Sequence, residues 1–477
     1  MSFRRHYAGA VALALVAIGG CKVGPNYHAP AMPSPPAYSD NGQNGNWTAA
    51  EPADAKDRGA WWQIYGDAEL NDLEQRCATA NQNIAAAVHV YEQAHAIVRE
   101  NRASLYPTVS IGADVSRNRV SANKPLRTTV GNYWDFLIPL DISWEPDLWG
   151  GIRRQIESSS ASAQATAADL ADTRLSLQGL LAVTYLQLRG LDLQAQLLRS
   201  TIDAYTQAVQ LTQTRFVGGL ATQSDVAQAQ AQLEATRAQL VDLSAQRQQF
   251  EHAIAVLIGV PATGFAIPEK PLGGAPPSIP TGVPSELLQR RPDIAAAERR
   301  VAAANAQIGV AQAAFYPQVS LGATGAVESS AISRLFNTDS AEWSAGPSAS
   351  QILFDAGRRR ARVDVVVAQR EQATALYRQQ VLSAFRDVED QLSALRVLEE
   401  EAVVQGRAVN AAQQSVDLSL IRYKGGIATY LEVLTNQTIL LNDQRAAAAL
   451  VARRIVASAQ LQVALGGGWN QAQLPPN

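Results

Sequence analysis

Residues 215–226 read RFVGGLATQSDV, and residues 422–433 read RYKGGIATYLEV. No other feature constrains the fold as strongly, because the match extends far beyond these twelve positions. Gly219 matches Gly426 at an offset of 207 residues, and Ile258-Gly259 matches Leu465-Gly466 at the same offset. Upstream, Ile84-Ala85-Ala86-Ala87 matches Ile294-Ala295-Ala296-Ala297. Tyr106-Pro107-x-Val109-Ser110-x-Gly112-Ala113 matches Tyr316-Pro317-x-Val319-Ser320-x-Gly322-Ala323, here at an offset of 210. One large unit has been duplicated, with a small length change between the blocks; short solenoid repeats are excluded. The Pro/Gly-rich stretch PEKPLGGAPPSIPTGVP, residues 268–284, joins the halves as a linker.

Each unit predicts the same order of elements. A helix comes first, over 83–105 and 293–315, and ends at a Tyr-Pro because proline disfavours helix in the residue before it. Strand patterns follow. Val109, Ile111, Ala113 and Val115 alternate with polar or small residues, as do Val319, Leu321, Ala323, Gly325 and Val327. Trp134, Phe136, Ile138, Leu140, Ile142 and Trp144 fill every second position of the next segment. Its counterpart, 343–353, is weaker and reads as a strand mainly because of the repeat.

The period then changes. One seam runs Leu170, Leu177, Thr184, Leu191, Leu198, Tyr205, and a second runs Leu181, Leu188, Ala195, Ile202, Val209, Phe216, a heptad pattern. The second unit repeats one seam as Val381, Val388, Leu395, Ala402, Val409, Val416, Tyr423. Its other seam holds Gln391, Gln405 and Ser419, which face either bulk solvent or a water-filled lumen. Both long helices end at the repeated block, where Gly218-Gly219 and Gly425-Gly426 can adopt the positive φ favoured past a helix C-terminus. Return helices follow over 222–258 and 429–465. The duplicated motif is therefore the turn of a helical hairpin. A helix over 152–215 is about 90 Å long at 1.5 Å per residue, which suits a rod or a tube wall.

Composition agrees with long, thinly packed helices: 47% hydrophobic but only 6% aromatic. A net charge of −3 gives no nucleic-acid footprint. The five His are not spaced as metal ligands, and no nucleophile elbow, P-loop or GxGxxG occurs, so no enzyme and no cofactor is expected. At the N-terminus, Arg4 and Arg5 precede an apolar run over 8–18 that suits a signal peptide. Ile18-Gly19-Gly20-Cys21 resembles a lipobox, which makes Cys21 the lipid-bearing first mature residue. Lys22 after it fits export to the outer membrane. Cys77 then has no disulfide partner and reads as a small buried hydrophobe.

The strand segments alternate as membrane-barrel strands do, with Trp residues near the ends of the second as interfacial anchors. Four strands leave open edges that lipid does not tolerate. Several chains must share one barrel, eight strands from two chains or twelve from three; periodicity alone does not choose.

These pieces together resemble a known family. CKVGPNYHAP after the signal, WWQIYGDAELNDL, EPDLWGGIRR, LLQRRPDIAAAERRVAAANAQIGVAQAAFYPQVSL and both tip motifs are similar to the TolC-like outer-membrane factors, in the lipoprotein OprM/NodT branch of tripartite efflux systems. The match runs in the family's order from Cys21 to about Gly468. The resemblance implies an α+β membrane protein: a homotrimer with a long α-helical coiled-coil barrel continuous with a twelve-stranded β-barrel. It implies a signal peptide over 1–20, a lipidated tether and equatorial segment over 21–61, repeats over 62–262 and 284–468, an equatorial linker over 263–283 and a tail over 469–477. The implied function is a passive duct for drugs or other small solutes, anchored in the outer membrane. Its partners are a periplasmic adaptor and an inner-membrane RND-type pump, with lipid but no nucleic acid.

By motif, the resemblance places a periplasmic gate at Leu431, Glu432 and Thr435. Many relatives carry Asp at the last position, so an acidic ring here rests on Glu432 alone. Arg215, Phe216, Gly218, Gly219, Arg422, Tyr423, Gly425 and Gly426 form the tips that meet the adaptor; the two Arg also suit a latch between hairpins or a cation at a helix C-terminus. RRPD, residues 290–293, reads as a helix start with Asp293 as its cap. Two alternatives remain: a type I protein-secretion channel, and a lipid-anchored coiled-coil scaffold without a pore, which the Trp-rich strands do not suit.

Overall fold

Helices of matching length repeat through the chain. A computed structural model describes residues 22–32, 60–121, 123, 125, 131–273, 276–277, 290–469 and 474. The expected signal peptide, Cys21 and parts of the tether, linker and tail lie outside the described residues. After a 3-10 turn at Trp61–Tyr65 come α1 (Ala68–Ala80), α2 (Gln82–Ala103), β1 (Thr108–Ile111), β2 (Asp114–Arg119), β3 (Asn132–Trp144), α3 (Gly151–Val217) and α4 (Gln223–Leu257). The second unit has α5 (Pro292–Ala313), β4 (Gln318–Ser329), β5 (Ala341–Ser350), α6 (Arg358–Lys424) and α7 (Tyr430–Ala464). α2 and α5 each have 22 residues, α3 and α6 each 67, α4 and α7 each 35. The length change between the units falls between the ends of β2 and β4 and the starts of the long helices α3 and α6.

The strands form one antiparallel sheet, ordered β1/β2–β3–β4–β5. β1 and β2 are one strand interrupted at Gly112 and Ala113, because they pair with β3 in a single unbroken register. The interruption lies opposite Pro139. The Gly112 amide donates to the Pro139 carbonyl at 2.9 Å, but proline has no N–H to return the bond. Four strands per chain therefore stand. The register sets Val109 against Ile142, Ile111 against Leu140, Val115 against Phe136, and Ile138 against Val327. One face is thus apolar across the sheet, and it is open: Ile111 is 74% and Trp343 83% exposed. The other face carries pairs such as Thr324–Asp141 at 2.7 Å. β1/β2 and β5 are bare edges.

Four details differ from the sequence expectations. α2 and α5 stop at Ala103 and Ala313, short of the Tyr-Pro, because the last turn tightens to i→i+3 bonds such as Tyr106 N–H to Ala103. Asp293 does not cap α5. Arg291 is the N-cap residue and Pro292 the first helical position, where proline is favoured. The Asp293 carboxylate instead takes Arg291 Nη2 at 2.6 Å and the Gln380 amide at 2.6 Å. Burial alone raises this carboxyl, but those donors overcome it and hold it below the usual range. Arg291 also reaches the Ala464 carbonyl, so RRPD pins α5 to α6 and α7. Third, the wetter seam of α6 is partly folded inward: Ser419 is buried, and Gln405 donates to the Asp443 carbonyl of α7 at 3.0 Å. Fourth, Trp144 is tied rather than free, its indole donating to the Leu105 carbonyl.

Charge clusters within the helices fasten the linker, and heptad periodicity does not reveal them. Arg189 and Asp192 of α3 meet Arg247 and Glu251 of α4, with Arg247–Asp192 at 2.7 Å and Arg247–Glu251 at 2.6 Å. The backbone of Ile267, Pro268 and Lys270 is bonded into this cluster. The i,i+3 pair Arg189/Asp192 inside an apolar seam was the available signal.

Candidate gate at the hairpin tips

Each tip is built by its glycines. Gly219 has φ +73° and Gly426 φ +76°, and only the second glycine of each pair is left-handed. Gly218 and Gly425 have φ −78° and −74°, which other residues adopt. The Leu220 amide donates to the Arg215 carbonyl at 2.8 Å, and Ile427 to Arg422 at 3.0 Å, the closing bonds of a Schellman turn. A Cβ on Gly219 or Gly426 meets nothing within 4 Å, so a substitution there acts through backbone strain alone. We expect Gly219→Val and Gly426→Val each to loosen the tip by about 1–2 kcal/mol. Faster amide hydrogen exchange at the altered tip reports this; unchanged protection in both variants contradicts it.

Beyond the turns the two tips diverge. At the first, Thr222 and Asp225 form a capping box, with the Thr222 amide donating to Asp225 at 2.9 Å. At the second, Thr429 makes no side-chain cap. Glu432, in the position of Asp225, instead accepts from Arg422 Nη1 at 2.8 Å. Arg215, the counterpart of Arg422, crosses to the other hairpin. Its Nη1 donates to the Lys424 carbonyl at 3.0 Å, and its guanidinium lies 4.8 Å from the Tyr423 ring centre. It is at once a cation at the C-terminus of α6 and a tie between hairpins. Tyr423 meets Tyr430 edge-on at 5.5 Å, in a core with Ala229 and Val433.

Leu431 is 57% exposed. Thr435 lies one turn on, its hydroxyl occupied by the Leu431 carbonyl at 2.9 Å. Glu432 is therefore the one carboxylate among the three candidate gate positions, and it is already paired. Phe216 is exposed at the other tip. Among the described residues no group of His, Cys, Asp and Glu could hold a metal, and no helix is long and apolar enough to cross a membrane.

A four-stranded sheet with one exposed apolar face, continued by helices of 67 residues that end in two closed tips, is the protomer of an outer-membrane channel. The family model described as outer membrane efflux protein matches residues 73–260 and 283–467, and the chain belongs to that family. Its members are channels rather than enzymes, and this chain is an outer-membrane channel component of an efflux pump. It is 34% identical to the pyoverdine export outer membrane protein OpmQ of Pseudomonas aeruginosa, over 92% of this chain and 94% of that one. It is 30% identical to the outer membrane protein OprJ of the same organism, over 97% and 96%. The solved outer-membrane channel OprN superposes with a TM-score of 0.87 at 30% identity, covering 94% of this chain and all of that one.

Proposed function

We propose that three copies of this chain close a twelve-stranded barrel and one helical tube, which carries small organic solutes from an adaptor-linked inner-membrane pump to the exterior. The carrying observation is the pair of bare edges, β1/β2 and β5, on a sheet whose apolar face is open. In lipid such edges must be paired, and only further copies offer matching strands. Similar proteins include the pyoverdine export protein OpmQ and outer membrane proteins of a solvent efflux pump and an antibiotic efflux pump, which supports small organic cargo here. The mass of the purified protein in detergent tests the ring: three chains are expected, and one or two overturn it.

The chain is also anchored by lipid on Cys21. Residues 22–26 are held at the start of α3, immediately below β3. The buried Arg154 guanidinium donates to the carbonyls of Val23 and Gly24, each at 2.9 Å, and to Asn26. Lys22 pairs with Glu157. A lipid on the preceding residue thus meets the membrane beside the barrel. Labelled palmitate is expected to enter the wild type and not Cys21→Ser; equal labelling of both refutes the anchor.

The tips form the gate. Leu431 supplies an apolar ring against hydrated solutes, and Glu432 a carboxylate ring held by Arg422. Thr435 adds no charge. The exposed tip residues around Phe216 and Ile427 meet the adaptor.

A further inference from the structure

A cavity of about 360 Å³ lies where α3 of the first hairpin faces α6 and α7 of the second. Its apolar walls are Ala204, Tyr205 and Ala208 of α3, Leu420 of α6, and Leu440 and Leu441 of α7. The two alanines make the room, since they stand one turn apart on α3 where longer side chains would close the gap. Tyr205 is a fixed wall, because its hydroxyl donates to the Gln437 carbonyl at 3.2 Å.

Gln437 makes the lining polar at one point. It is only 7% exposed, yet its Oε1 has no hydrogen-bond partner. Buried polar side chains are nearly always paired, so a carboxamide left over in a cavity wall is matched from inside the cavity. Turned either way about its last bond, the amide can give or take a hydrogen bond. At the rim stand Asp417 and Lys424, opposite in sign. An ion of either sign would gain from one and lose to the other, whereas an uncharged molecule meets no such penalty.

The linker marks which way the cavity opens. Its bonds reach α3 at Asp192 and Arg199, one heptad apart on a single face. Ala204 and Ala208 lie about 140° and 180° round the helix from Arg199. With the linker outside the proposed tube, this face is the lumen. Gln437 is six residues beyond Leu431, about 9 Å further along α7.

We propose that this cavity binds an uncharged aromatic molecule of about two fused rings, its hydroxyl or amide bonded to the Gln437 carboxamide. The rings would fill the space between the alanines and the leucines, with the Tyr205 ring beside them. The site lies within one chain and does not need the ring of copies; its role as a resting place for cargo, just inside the gate, rests on the duct reading.

The full-length protein in detergent supplies the test, with 2-naphthol as probe and naphthalene as the comparator that lacks a hydroxyl. Ala204→Cys puts a thiol in the cavity wall, and Gln210→Cys puts one at an exposed position of α3 outside the cavity, while Cys77 is buried. Alkylation by a maleimide is read at each position from the mass of its peptide. 2-Naphthol is expected to slow alkylation of the thiol at position 204 about fivefold or more and to leave position 210 unchanged. Adding Gln437→Leu is expected to raise the naphthol concentration needed for that protection about tenfold, the worth of one buried hydrogen bond, and to leave the naphthalene requirement as it was. Adding Ala208→Leu instead fills the cavity and is expected to abolish protection by both probes. Micelles take up each probe equally in every variant, so ratios between variants read the site. Equal slowing at positions 204 and 210, a naphthol requirement that Gln437→Leu does not move, or protection that survives Ala208→Leu overturns the site. A three-chain mass without protection overturns the site and leaves the duct standing. Protection in a protein of one-chain mass upholds the site and removes the duct.

Discussion

Replacing Leu431 by Ser and Glu432 by Ala is expected to raise the single-channel conductance of the purified protein in a planar bilayer several-fold over wild type. The double change removes an apolar ring and, with it, the anchor of Arg422. In the intact tip the Arg422–Glu432 pair, at 2.8 Å, ties the end of α6 to the first turn of α7. The pair is half-exposed, so about 0.5 kcal/mol each is a fair measure. In the proposed ring, three such pairs acting on one concerted gate would shift its equilibrium about tenfold. Arg422→Ala alone should therefore raise the open fraction by about that factor, and high salt should mimic it by screening the pair. Leu431→Ser alone should widen the passage while leaving the salt response intact. A large conductance, equal in wild type and the double variant, would place the constriction elsewhere.

The second large effect concerns stability. Glu74 lies in α1 with no exposed surface, and neither carboxylate oxygen has a hydrogen-bond partner. Its neighbours in the core include Leu70, Leu73, Cys77 and Trp61. Burial raises its carboxyl from the ordinary 4.5 to about 9. The same burial, with Glu74 beside it, pushes the Cys77 thiol up to about 12. Between those two carboxyl values the folded chain holds a proton that the unfolded chain releases. Stability is therefore fully present below about pH 4.5 and declines as pH rises towards 9, by about 1.4 kcal/mol per pH unit. At neutral pH the loss is of order 3 kcal/mol per chain. Glu74→Met keeps the volume and removes the titration. Its melting temperature should exceed the wild-type value at pH 8 and converge with it near pH 4. Parallel melting curves at both pH values would refute this assignment. Asp172, raised to about 6 by burial and then by Asp293, adds a smaller slope of the same sign to both proteins and cancels in the comparison.

The fold was legible because a duplicated sequence tests itself. The weak β5 segment, with Gly346, Pro347 and several Ser, was identifiable only through its partner, and the structure pairs it with β4 along ten positions. Heptads gave α3 and α6, since burial along a rod follows periodicity directly. What stayed illegible was side-chain choice among competing partners. Thr222-x-x-Asp225 and Thr429-x-x-Glu432 are the same signal in the sequence, yet only the first forms a box. Glu432 has a longer side chain, and Arg422 is within its reach, whereas Arg215 is drawn across to Lys424 and Tyr423. Asp293 fails as the cap residue for a different reason: the helix starts one residue earlier, at Pro292, and the Asp293 carboxylate accepts both the Ile294 amide and the Arg291 guanidinium from inside the first turn. The Glu74 site left no trace, because a lone Glu between Leu73 and Cys77 reads as a solvated helix position. The proposed gate draws on the exposure of Leu431 and the pairing of Glu432, and the motif does not say which contacts those side chains make.

The cluster of Arg189, Asp192 and Arg247 acts as a fulcrum. It grips α3 where the linker crosses; further along, Arg199 pairs with Glu269, Tyr205 donates to the Gln437 carbonyl, and Leu198 and Tyr205 pack in a core with Leu233 and Leu441 before Arg215 reaches Lys424. From Asp192 to Val217 the arm, with α4 and α7 packed along it, is about 38 Å long. A swing of roughly 10° about the fulcrum carries its end about 7 Å, far more than a side chain needs to clear a passage. The same rod that gives the tube its reach turns a small rotation at the equator into a wide displacement at the mouth.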